Sequence, residues 1–235
     1  MIIIQVMAIV GIDKLSLLDY EDKVSVVLFS QACNFRCPFC HNGESVLNAQ
    51  SALDFDEILA YLKTRTGLVD AVVFSGGEPT LEPDLEVKIK SVKSLGFLIK
   101  LDTNGTNPVL LEKLIDKGLI DYVAMDIKNS PSLYAKTSGV NNVNLDNIRK
   151  SISIIMKKAP DYEFRTTLVK EFREHMDYDA FFELIKGAKR LYLQKFVDRE
   201  GCIIKGLHDV DETEATKLRD YLLSKGLDFV TLRGY

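Results

Sequence analysis

Three cysteines lie close together in one stretch of the sequence, Ser30-Gln31-Ala32-Cys33-Asn34-Phe35-Arg36-Cys37-Pro38-Phe39-Cys40-His41-Asn42, with the spacing C-x3-C-x2-C. The stretch directly follows the apolar run 24–29, whose pattern predicts a buried β-strand. The cysteines therefore belong to the loop that leaves the C-terminal end of that strand. Thiolates so close together in a reduced protein usually hold a metal, because a bound cation offsets their mutual repulsion.

The number of donors leaves two interpretations of this metal site open. A closed structural zinc site takes four protein ligands. Either His41 or the distant Cys202 could supply the fourth, and the chain would then be a zinc-stabilised binding module. An iron–sulfur cubane also normally has four thiolates, so three would leave one iron able to bind another molecule. An open coordination position is typical of a reactive site.

Length and composition predict one cytoplasmic globular domain over residues 1–235. The chain is 46% hydrophobic and 27% charged, with a formal net charge of −4. That charge predicts no nucleic-acid partner and no membrane partner, since both call for a basic surface. Four cysteines, three of them clustered, favour a reducing cytosol over a disulfide framework. The apolar N-terminus is too short to span a bilayer, and we expect residues 1–23 to form a strand and cover segment before the main fold.

Strand and helix patterns alternate along the rest of the chain. The predicted strands are 24–29, 71–74, 98–101, 122–125, 163–169, 191–197 and 228–232. The predicted helices are 55–62, 85–95, 108–118, 145–159, 178–188 and 213–225. About six consecutive strand–helix units imply an α/β fold with parallel strands and right-handed crossovers. Periodicity alone does not distinguish an open doubly wound sheet from a barrel.

Polar and glycine residues follow successive predicted strands, where parallel α/β folds bind their ligands. After the cysteine loop, the next four strands lead into Ser75-Gly76-Gly77-Glu78-Pro79-Thr80, Leu101-Asp102-Thr103-Asn104-Gly105, Met125-Asp126-Ile127-Lys128 and Glu163-Phe164-Arg165-Thr166-Thr167. Paired glycines let the backbone approach a ligand closely. Acidic groups suit ribose hydroxyls, and Lys or Arg suits a carboxylate. These strand ends therefore predict one ligand site.

The cysteine spacing, together with the Gly-Gly-Glu-Pro segment, resembles the radical S-adenosylmethionine (SAM) superfamily. In that superfamily three cysteines hold a [4Fe–4S] cluster, and the fourth iron chelates the amino and carboxylate groups of SAM. An electron from the cluster cleaves SAM to methionine and a 5′-deoxyadenosyl radical, which abstracts a hydrogen atom. The resemblance implies a partial (β/α)6 barrel of the TIM-like type, in which Cys33, Cys37 and Cys40 bind one cluster.

Longer segments resemble the activating enzymes of glycyl-radical enzymes, and in particular those that act on anaerobic ribonucleoside-triphosphate reductase. The matching segments are 19–20, the cysteine loop, 73–80, 100–105, 122–128, 163–167, 193–196 and 232–234. One departure is Glu21-Asp22, where the family tends to have Pro-Gly. The resemblance implies that the SAM site includes Gly76, Gly77, Glu78, Asp102, Asn104, Asp126, Lys128 and Arg165. It also implies a monovalent cation beside Asp102, Thr103 and Asp126.

The same resemblance implies the partners. They are a glycyl-radical protein, with anaerobic ribonucleotide reductase as the expected one, and a low-potential electron donor such as flavodoxin or ferredoxin. Two other radical SAM activities remain open: activation of another glycyl-radical enzyme, of the pyruvate formate-lyase type, and a small-molecule reaction of the 7-carboxy-7-deazaguanine synthase type. We expect Cys202 to be an ordinary buried thiol, as isolated cysteines usually are.

Overall fold

The computed structural model describes residues 8–48 and 50–235. Its strands are β1 (Ile9–Ser16), β2 (Ser25–Ser30), β3 (Ala71–Gly76), β4 (Leu98–Thr103), β5 (Tyr122–Asp126), β6 (Tyr162–Leu168), β7 (Leu191–Lys195) and β8 (Val230–Arg233). Its α-helices are α1 (Gly43–Leu47), α2 (Phe55–Lys63), α3 (Leu85–Lys93), α4 (Pro108–Asp116), α5 (Tyr134–Ser138), α6 (Leu145–Lys158), α7 (Lys170–Arg173), α8 (Tyr178–Ile185) and α9 (Glu212–Ser224). Short 3₁₀ turns lie at Pro79–Leu81 and Pro131–Leu133. No helix in the described ranges is long and apolar enough to cross a membrane.

The strands stand in the sheet in the order in which they occur in the chain, from β1 to β8. Strands β2–β8 are parallel, and β1 pairs antiparallel with β2 at one edge. A doubly wound sheet would reverse its strand order at a switch point. Here every right-handed crossover adds the next strand on the same side, which places the helices on one face and curls the sheet. The expected partial TIM-like barrel is confirmed.

The expected N-terminal strand is present as β1, although it begins at Ile9 and residues 1–7 lie outside the described part of the chain. It pairs with β2 at the edge of the sheet, and its role as a cover segment stays a prediction. The organisation of residues 1–235 as one domain stays a prediction.

Side chains cap the N-termini of most of the longer helices, with α3 as the exception. Asp54, Asn107 and Asn144 each accept a hydrogen bond from a backbone N–H in the first turn of α2, α4 and α6. Pro108 occupies the first position of α4, where its missing N–H costs nothing. All six predicted helices are confirmed, with ends that differ by a few residues. Sequence patterns missed α1, α5 and α7, because four or five residues show too little periodicity.

The inside of the barrel combines a small apolar cluster with a set of charged side chains. Near the N-terminal strand ends, the inner faces meet in a small buried cluster of Tyr20, Val27, Ala71, Val73, Tyr122 and Ala124. The outer faces of the strands pack against the helices in the main core. Strands β4 and β6 contribute Lys100, Asp102, Glu163 and Arg165 to the inner face, where they form ion pairs with one another. Lys100 is in register with Val73 and Tyr122, so the charged set begins at the level of the apolar cluster and extends to the C-terminal strand ends.

The turn before β2 explains the departure at Glu21-Asp22. Lys23 N–H donates to Tyr20 O at 3.1 Å, which closes a four-residue turn. Asp22 has a φ of 58° and is the only non-glycine residue in the described ranges with a positive φ. A type II turn favours proline at its second position and requires a positive φ at its third. The turn therefore keeps the geometry that suits Pro-Gly, with aspartate tolerated in the left-handed conformation.

We expect Asp22→Val to lower the free energy of unfolding by about 1–2 kcal/mol, because a β-branched residue is strained at positive φ. Asp22→Gly should change it by less than about 0.5 kcal/mol, since glycine relieves the strain but adds entropy to the unfolded chain. Urea unfolding of both variants beside the wild type measures the difference. Equal stability of the valine and glycine variants would contradict the turn geometry.

Candidate active site

The charged end of the barrel opens into a cavity of about 210 Å³. The cysteine loop forms one side of this cavity, and the ends of β3–β6 form the other. The predicted site residues that line it are Cys33, Cys37, Cys40, Gly76, Gly77, Asp102, Asn104, Asp126, Lys128 and Arg165. Glu78 is the predicted residue that does not reach the cavity wall. The fold thus brings together side chains that lie up to 132 residues apart in the sequence, from Cys33 to Arg165.

The three cysteines of the loop are free thiols in a poorly solvated environment. Burial raises the pKa of Cys33 to about 12 and that of Cys37 to about 11. Burial also raises the pKa of Cys40 above its ordinary value. The positive charge of Lys128 acts in the opposite direction on all three thiols. Thiolates form readily in such a pocket only when positive charge, such as a metal, accompanies them.

The donors that a zinc knuckle would need are not assembled. Among residues 8–48 and 50–235, no three His, Cys, Asp or Glu side chains converge where one metal ion could sit. His41 Nε2 lies 2.9 Å from Val197 O, and Cys202 Sγ lies against Phe39 O at 3.9 Å. Cys202 is buried, as expected. Thiols spread around a cavity suit a cluster of several irons, because each thiolate then binds a different iron.

Gly76 and Gly77 fit the end of β3 against the start of the cysteine loop. Gly77 N–H donates to Ser30 O at 2.7 Å, and Glu78 N–H donates to Ala32 O at 2.6 Å. A Cβ on Gly76 would lie 2.5 Å from Ser30 N, and one on Gly77 would lie 2.2 Å from Ala32 O. The chain's own packing therefore requires both glycines. Because the N–H groups of Gly77 and Glu78 are used within the chain, the backbone of these two residues can offer a ligand only carbonyl oxygens.

Glu78 and Asn104 are bonded to other parts of the site. The buried Glu78 carboxylate accepts hydrogen bonds from Thr103 Oγ1 at 2.7 Å and from Asn104 N at 2.6 Å. Asn104 Nδ2 donates to Asn34 Oδ1 at 2.8 Å, and its Oδ1 accepts from Thr106 Oγ1 at 2.7 Å. Burial raises the pKa of Glu78, although the hydrogen bonds that its carboxylate accepts from Thr103 and from the backbone of Asn104 oppose the shift. Both side chains support the cavity wall, and direct contact with SAM stays a prediction.

Arg165 joins two carboxylates that project from neighbouring strands. Its Nε donates to Asp126 Oδ1 at 2.9 Å, and its Nη1 donates to Asp102 Oδ2 at 3.3 Å. Lys128 Nζ donates to the other oxygen of Asp126 at 2.9 Å. Burial opposes ionisation of Asp126, but the charges of Arg165 and Lys128 outweigh it and hold the pKa of this carboxyl well below its ordinary value. Asp126 therefore stays ionised and orients both cations.

One oxygen at the site is left without a hydrogen bond. Asp102 Oδ2 accepts from Ser75 Oγ at 2.9 Å as well as from Arg165, but the buried Oδ1 has no hydrogen-bond partner. The nearest cation that forms an ion pair with it is Lys100, whose Nζ lies 3.8 Å away. An unsatisfied buried acceptor is costly. Asp102 Oδ1 is therefore a natural acceptor for a donor group of a bound ligand.

Sequence patterns did not predict the segment that supports the cysteine loop from behind. Ile204 N–H donates to Pro38 O at 2.8 Å, and Gly43 N–H donates to Gly201 O at 3.1 Å. A Cβ on Gly201 would lie 2.2 Å from His41 O, so this contact depends on glycine. The segment has no helix or strand periodicity, and its partners lie about 160 residues earlier in the chain. The expected burial of Cys202 was the one sequence feature that indicated inward packing of this segment.

Comparison with known proteins identifies the family. The model of the radical SAM superfamily matches residues 27–191. A protein of Methanocaldococcus jannaschii, provisionally named a glycyl-radical enzyme activating enzyme, is 34% identical over 81% of this chain and 80% of its own. The 7-carboxy-7-deazaguanine synthase of Thermoplasma acidophilum is 29% identical over 63% of this chain and 68% of its own.

A solved structure shows the same fold. SuiB of Streptococcus suis, bound to S-adenosylmethionine, matches with a TM-score of 0.66 and 16% identity over 88% of this chain and 50% of that chain. These findings confirm the resemblance drawn from the cysteine and glycine motifs. The chain is an enzyme of the radical SAM superfamily.

Proposed function

We propose that this enzyme cleaves SAM reductively and installs a glycyl radical in a partner protein, anaerobic ribonucleoside-triphosphate reductase. The observation that carries the proposal is that one cavity is lined by three thiols, two glycines and four charged side chains that pair with one another. These four are Asp102, Asp126, Lys128 and Arg165. The 34% identical relative from M. jannaschii supports activation of a glycyl-radical enzyme. Family membership implies a [4Fe–4S] cluster and SAM as cofactors.

The cysteine loop fits such a cluster. Cys33, Cys37 and Cys40 would each bind one iron and lose a proton as they do so. Lys128, which acts electrostatically on all three thiols, would offset part of the negative charge that results. When bound and reduced, the cluster supplies the electron that converts SAM to methionine and the 5′-deoxyadenosyl radical, which takes a hydrogen atom from a glycine Cα.

The remaining walls of the cavity suit the polar groups of SAM. The carbonyl oxygen of Gly77 can accept from its amino group, and that of Gly76 can do so with its second lone pair, since it already accepts from Asn42 Nδ2 at 2.9 Å. Lys128 and Arg165 suit its carboxylate. Asp102 Oδ1 suits a ribose hydroxyl, which would satisfy this buried acceptor. Asp126 would act by holding Arg165 and Lys128 in place.

The expected monovalent cation would have few oxygens to bind. Thr103 Oγ1 donates to Glu78, and both oxygens of Asp126 accept from Arg165 or Lys128. Asp102 Oδ1 is the remaining acceptor of the predicted set. A cation here would therefore depend on Asp102 and on oxygens of the bound cofactor.

Aromatic packing keeps water away from the thiols. Phe39, which precedes Cys40, packs against Phe172 and Phe196 with ring centroids 6.0 and 6.4 Å apart. Phe35 is buried in the same loop. Exclusion of water protects a reactive radical from side reactions. The loop therefore supplies shielding as well as the proposed metal ligands.

After anaerobic reconstitution with iron and sulfide, we expect about four irons per chain and 5′-deoxyadenosine once dithionite and SAM are added. Cys33→Ala, Cys37→Ala and Cys40→Ala should each abolish this product, because the cluster loses a ligand. Cys202→Ala is the matched control and should retain it. A colourless protein that holds stoichiometric zinc and leaves SAM intact would contradict the proposal.

Lys128→Gln should raise the KM for SAM at least about tenfold, because a charge-assisted contact to a carboxylate is lost, while the iron content stays normal. Lys150→Gln, which removes an exposed lysine outside the cavity lining, serves as the control and should leave the KM unchanged. The assay is the initial rate of 5′-deoxyadenosine formation. An unchanged KM in Lys128→Gln would refute its role in binding the cofactor.

The partner can be identified by electron paramagnetic resonance. With SAM and reductant, we expect the enzyme to generate a glycyl radical signal in anaerobic ribonucleotide reductase from the same organism and not in pyruvate formate-lyase. The relative from T. acidophilum motivates a parallel reaction with the substrate of 7-carboxy-7-deazaguanine synthase. Turnover of that small molecule, with no glycyl radical in either protein, would replace the proposed function by the small-molecule alternative.

A further inference from the structure

A buried polar network lies behind the site and is not explained by ligand binding. Ser30, the last residue of β2, donates its hydroxyl hydrogen to Glu82 Oε1. Lys88 Nζ, on α3, lies 2.5 Å from Glu82 Oε2. Ser30 and Glu82 are each 2% exposed and Lys88 is 7% exposed. None of the three lines the cavity.

A contribution to the stability of the folded state is a weak explanation for such a buried polar network. Burying an ion pair costs desolvation energy that its attraction often only matches, so apolar residues of similar size would serve equally well. A hydroxyl that donates to a carboxylate forms a strong and directional bond. The arrangement therefore specifies a geometry. It fixes the end of β2 relative to the segment that follows Pro79–Leu81.

Ser30 contacts both segments that we assign to the cofactors, the cysteine loop and the Gly76–Glu78 segment. On one side the chain reaches Cys33 three residues later. On the other side, Ser30 O accepts from Gly77 N–H at 2.7 Å, and a Cβ on Gly76 would collide with Ser30 N. Glu82 lies five residues after Gly77. The link from Ser30 to Glu82 therefore closes a short ring around the Gly-Gly turn.

We propose that Ser30, Glu82 and Lys88 form a positioning network that sets the distance between the cysteine loop and the Gly76–Glu78 segment. This inference rests on the proposed roles of those two segments in holding the cluster and SAM. The three residues touch neither cofactor. They act by holding Ser30 O against Gly77 N–H, which keeps the carbonyl oxygens of the glycines at a fixed distance from the thiols.

Hydrogen exchange of the reconstituted protein, followed by mass spectrometry under anaerobic conditions, tests the network directly. Ser30→Ala removes the hydroxyl and keeps the ion pair, whereas Glu82→Gln weakens both links. In each variant we expect exchange of residues 76–80 to become about tenfold faster, by loss of roughly one hydrogen bond. Residues 71–74, inside β3, should keep their protection. Unchanged exchange at 76–80, or acceleration across the whole sheet, overturns the proposal.

The matched control is Asp84→Ala. Asp84 also pairs with Lys88, at 3.0 Å, but its side chain is 56% exposed, whereas that of Glu82 is 1% exposed. If loss of any ion-pair partner of Lys88 were enough to speed exchange at residues 76–80, Asp84→Ala would show the same acceleration. We expect its exchange profile to equal that of the wild type, and faster exchange at 76–80 in Asp84→Ala would overturn the specific role of Ser30 and Glu82.

A kinetic measurement separates positioning from simple support of the loop. Ser30→Ala should raise the KM for SAM about tenfold, as expected for misplaced contacts, with the iron content of the wild type. Loss of iron in this variant, or an unchanged KM, contradicts the proposal. A wild type that leaves SAM intact would overturn the proposed function instead, and the exchange experiment would still decide on the network.

Discussion

The active end of this enzyme depends on the close approach of two strand ends. Parallel strands β2 and β3 continue their hydrogen bonding past the sheet, from Gly77 N–H to Ser30 O and from Glu78 N–H to Ala32 O. Only residues without a side chain fit at positions 76 and 77, because a Cβ there would meet backbone atoms. The two most specific motifs of the sequence are thus parts of one backbone arrangement, and neither keeps its shape without the other.

Charge compensation is the second constraint on the barrel interior. Lys100, Asp102, Asp126, Lys128, Glu163 and Arg165 are brought into a low-dielectric space, where an unpaired charge is expensive. Each of them forms an ion pair with at least one opposite charge of this set, on its own strand or strand end or across the inside of the barrel. Such mutual pairing keeps the wall rigid before any ligand arrives, which is the preorganisation that binding and catalysis require. Tyr122 joins this charged set to the apolar cluster, because its ring centroid lies 5.3 Å from Lys100 Nζ and its hydroxyl donates to Glu163 at 3.2 Å.

Much of this arrangement could be predicted from the sequence. Alternating periodicity located the strands and long helices, and the rule that parallel strands present ligands at their C-terminal ends located Cys33, Asp102 and Arg165. Side-chain direction could not be predicted in this way. Glu78 turns toward Thr103 and Asn104 because those donors lie behind the strand end, and contacts between distant segments are not visible in periodicity. The packing of Gly201 on His41 escaped prediction for the same reason.

The support behind the cysteine loop also has a consequence for the biogenesis of the enzyme. The loop is made early in synthesis, whereas the segment around Gly201 and Ile204 that holds it is made after β7. Contacts of such long sequence separation form late in folding, because the intervening chain must first be ordered. Until then the thiols stay accessible from the side that the finished protein closes. Loading of the proposed cluster would therefore meet a wider entrance in the nascent chain than in the mature fold.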